Sequence, residues 1–249
     1  MRILVMNVNT TASMTETMRA AAAAVASPGT EIIAAEPRFG PASVEGYYES
    51  YISAAAILDR LATWDGPPFD ALVWAGFGEH GREGAQELLD VPVITITEAA
   101  AMTACLLGHK FGVVTTLRRA IPQIEDQLRL AGLLDRCAAI LAADLGVLEL
   151  EEDESRTAAR LAEVGREAIA AGAEALCLGC GGMAGMARLL SAELGVPVVD
   201  GVEAAVKLAE MLHGLGLRTS KINAFATPLA KPRPGWPIGD AGRAAAPRR

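Results

Sequence analysis

Aromatic side chains are scarce in this chain, 4% of it, and histidines number three. No basic stripe carries interleaved aromatics, so nucleic-acid binding is not expected. No apolar run approaches the roughly 18 residues of a membrane-spanning helix, so no membrane partner is expected. The opening Met1-Arg2-Ile3-Leu4-Val5-Met6 lacks the apolar region and small-residue cleavage site of a secretion signal, and reads as a first strand. Cysteines number four. Without a secretion signal they point to unbridged thiols in a reducing compartment, the cytoplasm. His80, His109 and His213 show no ligand spacing, so no metal site is expected.

Half the residues are hydrophobic, with 25 glycines, and 30 acidic against 22 basic residues leave a net charge of −8. Such a composition suits closely packed helices on sheets. Apolar strand-like runs alternate with helical ones along the chain. They include Ile3–Asn9, Glu31–Glu36, Ala71–Ala75, Pro92–Thr97, Phe111–Thr115, Ala138–Ala142, Glu174–Leu178 and Pro197–Val199. The alternation predicts an α/β fold with mostly parallel sheets flanked by helices. Ser13 or Thr15 is the expected cap of the first helix. A helix is expected from Met183, directly after Cys180. The run Glu151-Glu152-Asp153-Glu154 reads as a solvated helix start.

An internal repeat organises the chain. Asp70-Ala71-Leu72-Val73-Trp74-Ala75-Gly76 aligns without a gap on Glu174-Ala175-Leu176-Cys177-Leu178-Gly179-Cys180. The echo continues from Val91-Pro92-Val93-Ile94 to Val196-Pro197-Val198-Val199, and from Glu98-Ala99-Ala100 to Glu203-Ala204-Ala205. Two pseudo-symmetric lobes follow, with the site in the cleft between them. Lobe 1 is assigned to about residues 1–97 plus 203–230, and lobe 2 to about 98–202. Residues 231–249 form a Pro/Gly/Ala/Arg-rich tail, expected to be largely disordered. Ligands bind open α/β sheets at the C-terminal ends of their strands. Gly76 and Cys180 are therefore expected on opposite walls, with Asn9-Thr10 from one lobe and Thr115-Thr116 from the other.

Several signals compete for the chemistry. Gly76-Phe77-Gly78-Glu79-His80-Gly81 matches the dinucleotide fingerprint G-x-G-x-x-G, with Glu98 about twenty residues on. It lies mid-chain, and Glu79 would set a carboxylate beside the pyrophosphate, so a nucleotide site is disfavoured. Cys177-x-x-Cys180 has the spacing of a redox or metal half-site. Cys177, Cys105 and Cys137 read better as structural thiols. Cys180 differs: it sits at a strand end, in a glycine turn before a helix, where backbone N–H groups hold anions and a helix N-terminus lowers a thiol pKa.

These residues resemble the aspartate/glutamate/hydantoin racemase superfamily, and within it the hydantoin and allantoin racemases. The resemblance covers residues 1 to about 230. It rests on Asn7-Val8-Asn9-Thr10-Thr11, Gly40-Pro41-Ala42-Ser43, Val113-Val114-Thr115-Thr116, Leu178-Gly179-Cys180-Gly181-Gly182-Met183 and Val199-Asp200-Gly201-Val202. It implies a two-lobed fold and a cofactor-independent isomerase acting on a small molecule, a 5-substituted hydantoin or related cyclic ureide. It also implies a homo-oligomer. In the family, two cysteines face opposite sides of the stereogenic carbon. Cys180 matches the second, and Gly76 occupies the position of the first. Asn9, Thr10, Phe77, Gly78, Thr115, Thr116, Gly181 and Gly182 are the implied substrate-binding residues. With Gly76, the two-thiol reaction is expected to be impaired or one-sided. Three readings stand: a Cys→Gly variant, other chemistry, or a stand-in by Glu79 or His80. The alternatives are a single-cysteine decarboxylase of the arylmalonate decarboxylase type and a non-catalytic ureide- or nucleotide-binding module.

Overall fold

The computed structural model describes residues 1–78 and 81–236. Glu79, His80 and the last thirteen tail positions, including the expected disorder of Asp240–Arg249, lie outside the described residues. Two four-stranded parallel sheets form the frame. The first contains β1 (Arg2–Asn7), β2 (Glu31–Ala35), β3 (Ala71–Ala75) and β4 (Val93–Thr95), in the order β2-β1-β3-β4. The second contains β5 (Phe111–Thr115), β6 (Cys137–Ala142), β7 (Ala175–Leu178) and β8 (Val198–Val199), in the order β6-β5-β7-β8. The same order in both sheets is the spatial form of the repeat. Asn7 pairs with Ala75, and Val114 with Leu178, so each central strand pair ends beside one of the two turns.

The helices are α1 (Ala12–Val25), α2 (Tyr47–Ala62), α3 (Arg82–Leu88), α4 (Ile96–Leu107), α5 (Ile121–Leu130), α6 (Glu154–Ala170), α7 (Ala187–Leu194) and α8 (Gly201–Gly214). Strand alternation decides what they cover. Leu4, Met6, Leu72 and Trp74 point to an outer core with Ile57 and Leu61 of α2. Val114 and Leu178 do the same with Leu161 and Val164 of α6 and Leu190 of α7. Ile3, Val5 and Val73 of the first sheet share one inner core with Phe111, Val113 and Cys177 of the second.

Two helices tie the lobes together by crossing over. Helix α4 leaves the first sheet and packs on β7 and β8. Helix α8 leaves the second and packs on β3 and β4. They also pack on each other, through the fully buried alanines 99, 100, 101 and 104 of one and 205 and 209 of the other. Alanine permits this close approach. At Gly201 even a methyl group would lie 2.6 Å from the Ile96 carbonyl oxygen.

Two local expectations are corrected, and a third is extended. Helix α1 is preceded by Thr11, with Ser13 and Thr15 inside it. Thr11 is held by its neighbours, its N–H donating to Asn9 Oδ1 (2.9 Å) and its hydroxyl to Ala42 O (2.7 Å). No α-helix starts at Met183. Gly181–Met183 forms a single 3-10 turn, Gly185 adopts a left-handed φ of 87°, and α7 begins only at Ala187. The acidic run is exposed and starts α6, as expected, and it makes further contacts. Asp153 caps α6 through Arg156 N (2.9 Å), while Glu151 accepts bonds from Ser13 (2.7 Å) and Thr17 (3.4 Å) across the cleft.

Candidate active site

The turns after β3 and β7 meet at the centre of the molecule. A narrow pocket is lined there by Gly76 and Phe77 on one side and by Cys180, Gly181 and Gly182 on the other. The two walls are close: a methyl group on Gly181 would lie 2.9 Å from Ala75 O and 2.7 Å from Met18 Cε. Glycine is therefore required at 181 for the turns to approach.

Cys180 is half-buried, with extended backbone (φ −158°). Gly182 N donates to its Sγ at 3.4 Å. Backbone N–H groups in such a turn can hold an anion. The corrected helix start matters here: the next α-helix begins only at Ala187, and the N–H group set on the sulfur is that of Gly182, within the turn. Behind the turn, Asp200 is buried and fixes its far end. Its Oδ2 accepts from Gly185 N (2.7 Å), while Oδ1 caps α8 through Val202 N (2.8 Å) and Glu203 N (3.3 Å). Burial raises the Asp200 pKa, opposed by those three N–H donors. Thr95 caps α4 in the corresponding place of the first lobe, accepting from Glu98 N at 3.1 Å.

The first turn is fixed by Thr97. Its hydroxyl accepts from Gly78 N (2.8 Å) and faces Gly76 O (3.5 Å). Gly78 needs its left-handed φ of 87°, and a side chain there would strike Ile124. On the floor, Asn7 Nδ2 donates to Asn9 Oδ1 (3.0 Å) and Thr15 Oγ1 (3.0 Å). With its oxygen so held, Asn9 turns its Nδ2 toward the pocket-lining Met14 Sδ at 3.5 Å, a weak acceptor. That amide remains able to donate to a ligand.

Of the residues singled out from sequence, Asn9, Gly76, Phe77, Cys180, Gly181 and Gly182 line the pocket. Thr10, Gly78, Thr115 and Thr116 fall outside that lining. Three of the four serve as supports. Thr10 bonds Pro41 O (3.2 Å), Thr115 bonds Gly179 O (3.0 Å), and Gly78 N is taken by Thr97. Sequence reasoning missed Asn7, Val8, Met14, Met18, Val44, Ala75 and Val147 in the lining, and Thr97 and Asp200 behind it. Asn7 and Asp200 stood inside quoted motifs. Val8 did too, whereas the methionines, Val44 and Val147 carried no signal beyond ordinary core residues.

The other thiols lie apart from this pocket, and none of the four cysteines is in a disulfide. Burial pushes the Cys137 thiol up to about 11 and Cys177 well above its usual range. Among the described residues no three His, Cys, Asp or Glu side chains gather as metal ligands, and no helix is long and apolar enough to cross a membrane. The fingerprint-like loop leads into α3 of only seven residues, with Gly81 packed on Ala54 and Trp74.

Known proteins match this arrangement along nearly the whole chain. A hydantoin racemase of Paenarthrobacter aurescens is 40% identical over 93% of this chain and 99% of its own. The crystal structure of allantoin racemase from Pseudomonas fluorescens superposes with a TM-score of 0.92 at 58% identity, over 94% of this chain and 99% of that one. Allantoin racemase from Klebsiella pneumoniae gives 0.89 at 44%, over 92% and 94%. With the family model for Asp/Glu/Hydantoin racemase matching residues 3–209, the chain belongs to the Asp/Glu/hydantoin racemase family.

Proposed function

We propose that this protein is a cofactor-independent isomerase that acts at the stereogenic carbon of a 5-substituted hydantoin or related cyclic ureide. The observation that carries the reading is the Cys180 thiol in a glycine turn, set against the Gly76 turn across a narrow pocket. Family membership and the hydantoin and allantoin racemases among its relatives supply the substrate class.

In the proposed reaction Cys180 Sγ, as thiolate, takes the proton at C5, and as thiol it returns one. The electron pair left on carbon delocalises onto the adjacent carbonyl oxygen, where turn N–H groups stabilise the enolate. The Asn9 amide, oriented by Asn7, holds a polar edge of the ring. Phe77, Met14 and Met18 exclude water around it. Gly76 supplies no proton to the opposite face. The chemistry is accordingly one-sided, unless Glu79 or His80 reaches that face.

The test is hydrogen exchange in D2O, followed by NMR for each enantiomer of a chiral hydantoin. One enantiomer should exchange its C5 proton with retention of configuration, and Cys180→Ala should abolish this. Equal exchange of both enantiomers would overturn one-sidedness and call for Glu79→Gln and His80→Ala. No exchange of either would sink the isomerase reading. Carbon dioxide release from a disubstituted malonate would favour the decarboxylase alternative. Four unbridged thiols support a reducing compartment, the cytoplasm. Exposed Tyr48, Tyr51, Leu106 and Leu130 support a homo-oligomer, to be measured by light scattering.

A further inference from the structure

The segment between the first sheet and α2 brings Val44 to the pocket lining and is fastened to both lobes. On its own lobe, Thr10 N (3.0 Å) and Thr10 Oγ1 (3.2 Å) donate to Pro41 O, and Thr11 Oγ1 donates to Ala42 O (2.7 Å). On the facing lobe, Val147 N donates to Glu45 Oε1 at 3.0 Å. Just beyond, Tyr47 Oη donates to Asp126 Oδ2 (2.8 Å), and Arg119 packs over Gly46 with its Nη2 3.9 Å from Glu49. The residues flanking the Glu45 bond matter most. Val44 and Val147 both line the Cys180 pocket, one from each lobe, and both are almost fully buried.

We propose that Glu45 is a positioning residue that latches the 41–46 strap to the backbone of Val147, closing the Val44–Val147 lip over Cys180. With the bond made, the lip narrows the way from bulk water to the half-buried Cys180. With it broken, the lip parts and a ring-sized molecule enters. This role as gate to a substrate rests on the proposed function; the latch itself rests on the geometry alone. Ser43 Oγ, 3.5 Å from the same Oε1, steadies the carboxylate. The deciding feature of Glu45 is an acceptor oxygen, which glutamine also carries. The donor is a backbone N–H, which only proline removes. Val147 has φ −58°, a value proline adopts.

The experiment alkylates the whole protein with iodoacetamide and follows Cys180 by peptide mass spectrometry, with Cys105 and Cys137 in the same digest as references. Glu45→Ala should speed Cys180 alkylation about tenfold relative to the reference thiols, the scale of one lost bond to a charged group. Glu45→Gln should stay within about twofold of the parent, because its amide oxygen accepts the same bond. Val147→Pro should match Glu45→Ala, and the double variant should be no faster than either single one. An unchanged Cys180 ratio in Glu45→Ala, or an equal rise at all three thiols, overturns the latch. Protection of Cys180 by excess 5-benzylhydantoin is measured alongside. Its absence with the mutant pattern intact would count against the substrate class while leaving the latch standing.

Discussion

The missing thiol is a one-residue matter with a one-residue test. Gly76 lines the pocket opposite Cys180, so a side chain at this position would face the same space from the other wall. Gly76→Cys should add an acid/base group on the second face and raise racemisation of a chiral hydantoin by about a hundredfold or more. Loss of optical rotation measures it, and an unchanged rate would refute the two-wall arrangement. Gly181 tests the same geometry from the other side. A methyl group there meets Ala75 O, a backbone atom that cannot swing away. Gly181→Ala should therefore destabilise the fold by about 1–3 kcal/mol and reduce C5 exchange. A urea titration of the variant reads the first effect. Gly76 and Cys180 were legible in the sequence because the repeat aligned them, and Gly181 because a strand end before a glycine is a local pattern. Met14, Met18, Val44 and Val147 were not. Their approach to the pocket depends on how two lobes face each other, which no local spacing encodes.

Among the elements, Asp200 joins two that the chain sets fifteen residues apart: it caps α8 and holds the end of the Cys180 turn at Gly185. Asp200→Ala leaves three backbone donors without their acceptor, two of them at a helix start. A loss of about 1–3 kcal/mol is expected, with faster hydrogen exchange at the Gly185 amide than elsewhere in the lobe. Asp200→Asn keeps an acceptor oxygen and should lose less. If Gly185 exchange were unchanged in Asp200→Ala, the turn would be held by its own 3-10 bonds alone. Element type was readable throughout from the alternation of apolar strands and helical runs. Starts were less so. Serine and threonine caps, for instance, cannot be told from the hydroxyls that bond to a distant loop, as Thr11 does to Ala42. Likewise, the positive φ of Gly185, which ends the turn and delays α7, is one of several available to a glycine-rich stretch.

For the molecule as a whole, the repeat predicted two lobes, and the paired strand orders bear that out. What the repeat could not foretell is that the two lobes share one core. Ile3 and Val73 of the first sheet and Phe111 and Cys177 of the second belong to the same cluster as the α4 and α8 alanines. Two consequences follow for stability. The first concerns alkaline pH. Cys137 and Cys177 are held protonated by burial, with Cys137 at about 11, whereas an unfolded thiol ionises near 9. Their contribution is intact below pH 9 and is lost as pH rises toward 11, because the unfolded state then releases protons that the folded state keeps. The melting temperature should fall over that window, by the equivalent of about 2 kcal/mol for Cys137, and Cys137→Ala should flatten the decline. The second concerns cooperativity. Were the lobes independent, each would unfold at its own denaturant concentration. A shared core removes that freedom, since neither sheet keeps its inner face covered once α4 or α8 detaches. Trp64 and Trp74 lie in the outer core of the first lobe, and Cys177 is sealed in the second. Tryptophan fluorescence and Cys177 alkylation should therefore report coincident midpoints in urea. Midpoints that separate would mean that the α4–α8 seam yields before the sheets do, and that the lobes part while each is still folded.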